Sequence, residues 1–278
     1  MALNKPALKA LLTGRRALIC PEEHGLTRPT GQGRRAHGLS QQQVDELTGR
    51  ALHTYSRLET GRYPNPPIGY LRQIARLFGL NEQEWDSLCR YAGIGDPPGP
   101  LSTVSGLEVH GAWQEAVDGI AHMAYVTDAS WNLLAYNEPL AEAFPGGRTP
   151  DNMMDWMLLD PDGRVTLMDW RTVWAPLVLP QLRAALALRP DDGTLLRIAR
   201  RAVEDPALRP LWVAGGAQVH PDGDERPLRH ARYGPGHVTM CAAQPMAAPG
   251  SRLMILVFHP GTAKAHARLP VLRAPVGA

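Results

Sequence analysis

LSQQQVDELTGRALHTYSRLETGR, residues 39–62, is the stretch whose reading decides the fold of the N-terminal third of this 278-residue chain. Ser40 and Gln43 have capping-box spacing, in which the serine oxygen accepts the N–H three residues on and the glutamine reaches back, so a helix opens at Gln41. Val44 and Leu47 give that helix one apolar stripe. Gly49 permits the left-handed backbone that a sharp turn between helices requires. A second helix is predicted from about Ala51 to Thr60, stopped by Gly61. Ala51, Tyr55 and Leu58 share its packing face, while Arg50, His53, Thr54 and Arg57 share another. This is the layout of a helix-turn-helix, whose second helix enters the DNA major groove. A plain helical bundle would leave the four polar residues as a solvated face, and would have no reason for so tight a turn.

Working outward, Leu8, Leu11 and Leu12 mark a preceding helix, Ile68 to Phe78 is amphipathic and closes on Gly79, and Asn81 with Glu84 caps a last helix through Tyr91. Five helices therefore make one domain over residues 1–95. Its charge fits the reading: residues 1–76 carry 12 Lys+Arg against 5 Asp+Glu, whereas the remainder carries 17 against 22. A basic surplus suits a nucleic-acid partner, because neutralising phosphates supplies most non-specific affinity.

The motifs L-S-Q-Q-Q-V-D-E-L-T-G and Y-S-R-L-E-T-G-R resemble the lambda-repressor-like (XRE) DNA-binding family. The resemblance implies that Gln41 contacts phosphate and that His53, Thr54 and Arg57 read bases; Arg50, on the same polar face, is expected as a further phosphate contact. The chain departs from the family at Ala51, where Ser or Thr usually caps the recognition helix. The insertion PEEHGLTRPTGQGRRAHGL is similar to that of the MmyB-like transcription regulators, in which an Arg-Arg pair precedes Gly-Leu; Arg34 and Arg35 match that pair and are expected on the DNA backbone.

A linker is predicted over 96–107, where Asp96-Pro97-Pro98-Gly99-Pro100 cannot continue a helix. A second domain is expected over 108–265, followed by a tail, 266–278. Ala124 to Thr127 and Asn132 to Tyr136 read as a hairpin, with a helix from about Glu138. Helical patterns dominate from Asn152 to Trp212, with Pro176 and Pro180 expected to kink or divide the longest. Strands return at 217–220, 228–233, 237–242 and 252–259. The fold class is multidomain: an all-α helix-turn-helix domain, then an α+β domain whose antiparallel sheet is covered on one side by helices.

The second half resembles the PAS-like ligand-binding domain of the MmyB-like family through A-Y-V-T-D, L-L-A-Y-N-E-P-L-A, M-L-L-D-P, M-D-W and L-R-H, in that family's order. The resemblance implies a fatty-acid-like effector in an apolar pocket. Composition offers a matching hint, since six of the seven tryptophans lie here with most of the methionines, and Met adapts to irregular apolar shapes. The same clustering is what an ordinary core would show. Expected lining residues are Trp131, Met153, Met157, Trp170 and Trp174. Candidate polar anchors are Arg229 or His230 on a strand and Asn137, which could equally be a helix cap.

Other classes lack support. The chain has no GxSxG, HExxH, GxxxxGK[ST] or strand-linked GxGxxG, and its carboxylates sit in turns such as Asp160-Pro161-Asp162-Gly163, so no catalytic residues, metal or cofactor are expected. Three scattered cysteines suit neither disulfides nor zinc and are expected reduced. No apolar run approaches the roughly 18 residues of a membrane helix and the N-terminus has no leader pattern, so a cytoplasmic protein without a membrane partner is expected. The expected partners are a double-stranded operator of inverted-repeat form, a second copy of the chain, and the small apolar effector. The rival reading makes the second half a protein-interaction module, antitoxin-like or sigma-antagonist-like, with no small ligand.

Overall fold

A computed structural model of the chain describes residues 3–27, 38–102, 104–216 and 223–261, in two compact units, Met1–Ser105 and Gly106–Ala278. Arg34, Arg35, the strand expected at 217–220 and the tail lie outside the described residues.

The first unit is built as its caps dictate. Helix α1, Lys5–Leu18, starts where the Asn4 side chain accepts the Ala7 N–H, and a short 3-10 turn follows at Pro21–His24. Helix α2, Gln41–Leu47, opens on the capping box read from the sequence: Gln43 N donates to Ser40 Oγ at 3.2 Å and Ser40 N to Gln43 Oε1 at 2.8 Å. Gly49 takes the left-handed turn, at φ +62°. Helix α3 spans only Thr54–Glu59. Residues 51–53 stay in the turn, with His53 itself left-handed at φ +70°, so Ala51 is exposed rather than packed while Tyr55 and Leu58 are buried. Helices α4, Ile68–Leu77, and α5, Glu82–Tyr91, complete the unit. Its core is closely packed, with Leu12, Val44, Tyr55, Leu71, Ile74, Trp85 and Leu88 fully buried.

The expected linker is partly docked on this core. Trp85 Nε1 donates to Gly99 O at 3.1 Å, Arg72 Nη1 to Pro100 O at 2.6 Å, and Leu101 N to Glu82 Oε2 at 2.9 Å. Leu101 itself joins the buried cluster.

The second unit runs α6 (Ala112–Asp118), β1 (Met123–Thr127), β2 (Leu133–Tyr136), α7 (Glu138–Ala141), α8 (Met153–Leu159), α9 (Pro161–Thr166), a π-helical turn (Trp170–Trp174), α10 (Ala175–Leu188), α11 (Gly193–Glu204), α12 (Arg209–Ala214), then β3 (Asp224–His230), β4 (Gly234–Ala243) and β5 (Arg252–Pro260). The strands form one antiparallel sheet in the order β2-β1-β5-β4-β3, so the last strand closes against the first. Pro227 is tolerated because β3 is an edge, where a missing ladder donor costs little. Pro176 sits in the first turn of α10 and Pro180 inside it. The helix runs on across both: Pro176 lacks only an N–H that the first turn leaves unbonded, while Pro180 gives up one bond of the helix interior.

Helices α8 to α11 cover one sheet face in a single large cluster with Met123, Tyr125, Leu228, Val238, Met240, Met254 and Leu256. The other face is not bare, contrary to the one-sided cover expected. Trp113 and Val117 of α6 pack there against Ala124, Val126 and Ala135, because β1 is apolar on both faces and must be buried on both. Among the described residues no helix is long and apolar enough to cross a membrane.

Candidate DNA-reading face and ligand cavity

The short α3 is held by a residue that is not in it. Asp45 of α2 is buried, and its Oδ1 accepts the Tyr55 N–H at 2.7 Å, satisfying one of the donors that a helix start leaves open. It supplies the cap that Ala51 cannot, and it ties α3 to α2. A second tie is Glu59, also buried, which accepts from Thr13 Oγ1 at 2.6 Å, from Arg16 Nη2 at 3.1 Å and from the Gln41 amide. Tyr55 O–H reaches Leu12 O at 3.3 Å. The apolar side of α3 is thus fixed on α1 and α2, and its opposite side is left to solvent.

On that open side Arg50, His53 and Arg57 are exposed. Arg57 lies over the Tyr63 ring at 5.2 Å. Arg50 lies over Tyr70 at 5.0 Å and bonds Gln73 Oε1 at 3.4 Å. Rings beneath two guanidinium groups orient them without neutralising them. Thr54 is half-buried, its hydroxyl donating to Ala51 O at 2.6 Å. Gln41, Gln42, His53 and Ser56 border one surface groove with Arg16.

In the second unit, the sheet face under α8 to α10 encloses a largely apolar cavity of about 60 Å³. Its walls include Met123, Met153, Met157, Met240, Met254, Phe144, Trp131, Trp156 and Trp174. Trp131 is placed there by a strained turn between β1 and β2. Asp128 Oδ1 accepts from Ser130 N and Asn132 N at 2.8 Å each. Asn152 Nδ2 donates to Ser130 O at 2.8 Å, and Met153 N to Trp131 O at 2.9 Å. Between these ties Trp131 adopts φ +65°, a conformation costing a bulky residue on the order of 1–3 kcal/mol.

The cavity's few polar members are more telling than its apolar ones. Thr127 and Arg252 face each other directly across the β1–β5 pair, and Arg252 lies 3.8 Å over the Trp131 ring. Arg226 of β3 is fully buried, lies 5.0 Å over Trp174, and pairs with Asp224. A family model described as the MmyB-like transcription regulator ligand binding domain matches residues 109–272, more than half of the chain and the whole of this cavity.

The chain belongs to the MmyB-like transcription regulator family.

A helix-turn-helix domain model also matches residues 32–88, the span that contains α2, the Gly49 turn and α3. No curated protein matches the chain.

The regulator's expected ligand residues divide on the structure. Trp131, Met153, Met157 and Trp174 wall the cavity. Trp170 does not; its Nε1 donates to Met157 O at 2.7 Å and its ring underlies Arg164 at 4.2 Å, so it braces the wall from behind. Asn137 caps α7, accepting from Leu140 N at 3.2 Å and Ala124 N at 3.0 Å and donating to Val117, Ile120 and His122 carbonyls. With its side chain spent on that joint, it is the cap, not an anchor. Arg229 is exposed. His230 is buried, but borders a separate hollow with Tyr233 and Phe258, and burial holds its imidazole below the usual range.

Register sets where both strand residues lie. A strand begun at Leu228 leaves the inward set open, whereas the pairing of Arg226 with Val238 turns Arg226, Leu228 and His230 inward and Arg229 outward. Alternation within D-E-R-P-L-R-H was a usable signal for Arg226, masked by Pro227. Arg252 opens a strand after a Pro-Gly turn and resembles a solvent-facing strand end, so nothing local marked it.

Proposed function

We propose that this helix-turn-helix regulator binds an inverted-repeat operator as a homodimer, and that a small apolar, fatty-acid-like molecule in the second unit's cavity sets its operator affinity. His53, Thr54 and Arg57 read base edges in the major groove, while Gln41, Arg50, Arg34 and Arg35 hold phosphates and set the register. Gln41 must then exchange the Glu59 carboxylate for a phosphate oxygen. One short recognition helix reaches only a few base pairs, so two half-sites about one turn apart supply the rest of the specificity.

The observation that carries the effector half is the enclosure of the cavity. A partner-binding module would present its apolar surface outward, whereas here the methionines and tryptophans surround a space. That space is small, so an acyl chain enters only as methionine side chains rotate aside, which their unbranched stems allow. Each buried CH₂ then contributes about 0.8 kcal/mol, and regulation requires that the ligand prefer one of the DNA-competent and DNA-incompetent states. The test follows tryptophan fluorescence, melting temperature and operator affinity together while saturated fatty acids of increasing length are added to the full chain. All three should move with one shared midpoint. If no length moves any of them, the effector reading fails. Sedimentation on a defined operator should give two chains per duplex; one chain at saturation defeats the dimer.

A further inference from the structure

The linker is fixed at both ends, each on its own unit. On the first, both oxygens of the Glu82 carboxylate are taken by the chain: Leu101 N donates to Oε2 at 2.9 Å and Ser102 N to Oε1 at 3.0 Å. On the second, the buried Gly106 carbonyl accepts from Ala129 N at 2.7 Å and from Ser251 Oγ at 2.9 Å. Only glycine fits there, since its φ is +76° and a Cβ would stand 2.1 Å from Pro249 O. Residues 103–105 alone separate the two fixed points, which leaves the chain little slack. The two turns that hold Gly106 also carry part of the cavity wall. Ala129 belongs to the same turn as Trp131, whose left-handed backbone is strained, and Ser251 directly precedes Arg252. Trp131 and Arg252 both line the cavity, with the guanidinium 3.8 Å over the indole. The turns also touch each other: a Cβ on Gly250, at φ +90°, would come within 3.0 Å of Ala129 Cβ.

We propose that Gly106 is the relay through which the cavity wall acts on the DNA-reading unit. A group that displaces the Trp131 ring lets residue 131 leave its strained conformation. The turn then moves, Ala129 N and Ser251 Oγ carry the Gly106 carbonyl with them, and the origin of the linker shifts. Because Glu82 grips the far end, the shift biases the DNA-competent against the DNA-incompetent state instead of being lost in slack chain. This deepens the effector reading above, which supplies the natural trigger, and rests on it.

The experiment uses the full chain and needs no ligand. Met254→Trp, at the next inward position of β5 after Arg252, overfills the cavity beside the Trp131 turn and stands in for an occupant. It should change affinity for an operator selected with the unaltered chain by at least about threefold, read by anisotropy of a labelled duplex. Inserting Gly-Gly-Ser-Gly-Gly-Ser between Val104 and Ser105 leaves both anchors in place but supplies slack, and should abolish most of that change. Gly106→Ala, which forces the carbonyl off its partners, should do the same, and Ser251→Ala, which removes one of its two bonds, should weaken the change in part. Melting temperature reports the folding of each chain; Met153→Trp serves if Met254→Trp does not fold, and Ser251→Ala serves if Gly106→Ala does not. A full response to the filled cavity in the inserted chain, or in either anchor variant, overturns the relay while leaving control of DNA binding by the cavity in place. No response to a filled cavity in the otherwise unaltered chain removes the effector reading itself, and the relay with it.

Discussion

The two units bury polar groups in opposite ways. In the helix-turn-helix unit the buried charged side chains are consumed by the fold: Asp45 caps α3, and Glu59 gathers Thr13, Arg16 and Gln41. Where one of their atoms is left over, as at Asp45 Oδ2 or Arg16 Nε, a sibling atom on the same side chain is bonded; the exception in this unit is the uncharged Tyr70 hydroxyl, buried without a partner on a ring that carries Arg50. In the ligand-binding unit Thr127 has no side-chain hydrogen bond at all, Arg252 has only a ring beneath it, and both face a cavity. The first unit spends its interior on rigidity and keeps its working residues on the surface. The second keeps unmet hydrogen-bonding capacity inside, at a cost in stability, where a ligand can use it.

The largest effect that would break this contrast is a core truncation. Leu58→Ala removes a fully buried side chain from a tightly packed helix pair and should destabilise the first unit by about 2–5 kcal/mol, measured by denaturant unfolding; a cost under about 1 kcal/mol would mean that the unit is not the rigid half. Asp45→Ala should follow at about 2 kcal/mol, since it leaves the buried Tyr55 N–H without an acceptor. Asp45→Asn, which keeps an acceptor oxygen, should recover most of that stability, and equal losses for the two would show that the carboxylate is not a cap. Arg57→Ala sharpens the surface side: it should cost about 1–3 kcal/mol on the matched operator and much less on one changed at the base pair Arg57 reads, with folding stability unchanged. Uniform losses on every sequence would move Arg57 from bases to phosphates.

The smallest effect has the opposite sign. Thr127→Val replaces an unbonded buried hydroxyl with a methyl of similar shape and should raise the ligand-free stability of the second unit by up to about 1 kcal/mol. A loss of stability instead would show that the hydroxyl is bonded in solution, and the contrast between the units would narrow.

How far these features were legible from residues alone depends on range. Caps and turns act over three or four positions, so Ser40 with Gln43, Asn81 with Glu84, and Gly49 announced helix starts and the tight turn by identity and spacing. The basic surplus and the positions of the proposed reading face were equally local. The onset of α3 was not, because the cap that sets it comes from Asp45, ten residues earlier on another helix.

The cavity residues show the same boundary. Trp131, Met153, Met157 and Trp174 could be named from composition and motif, since large apolar side chains must be buried somewhere. Which polar residues would join them could not. A strand's inward set is decided by its register against neighbours far away in sequence, and a shift of one residue exchanges the two faces. The pairing of β3 with β4 turned Arg226 in and Arg229 out, and the pairing of β5 with β1, strands more than a hundred residues apart, set Arg252 opposite Thr127. The sequence by itself determined two domains, their classes and the residues bound to be buried. Only the tertiary structure decided which charge lies uncompensated against the cavity, because electrostatic partnership is a property of positions in space and not of neighbours along the chain.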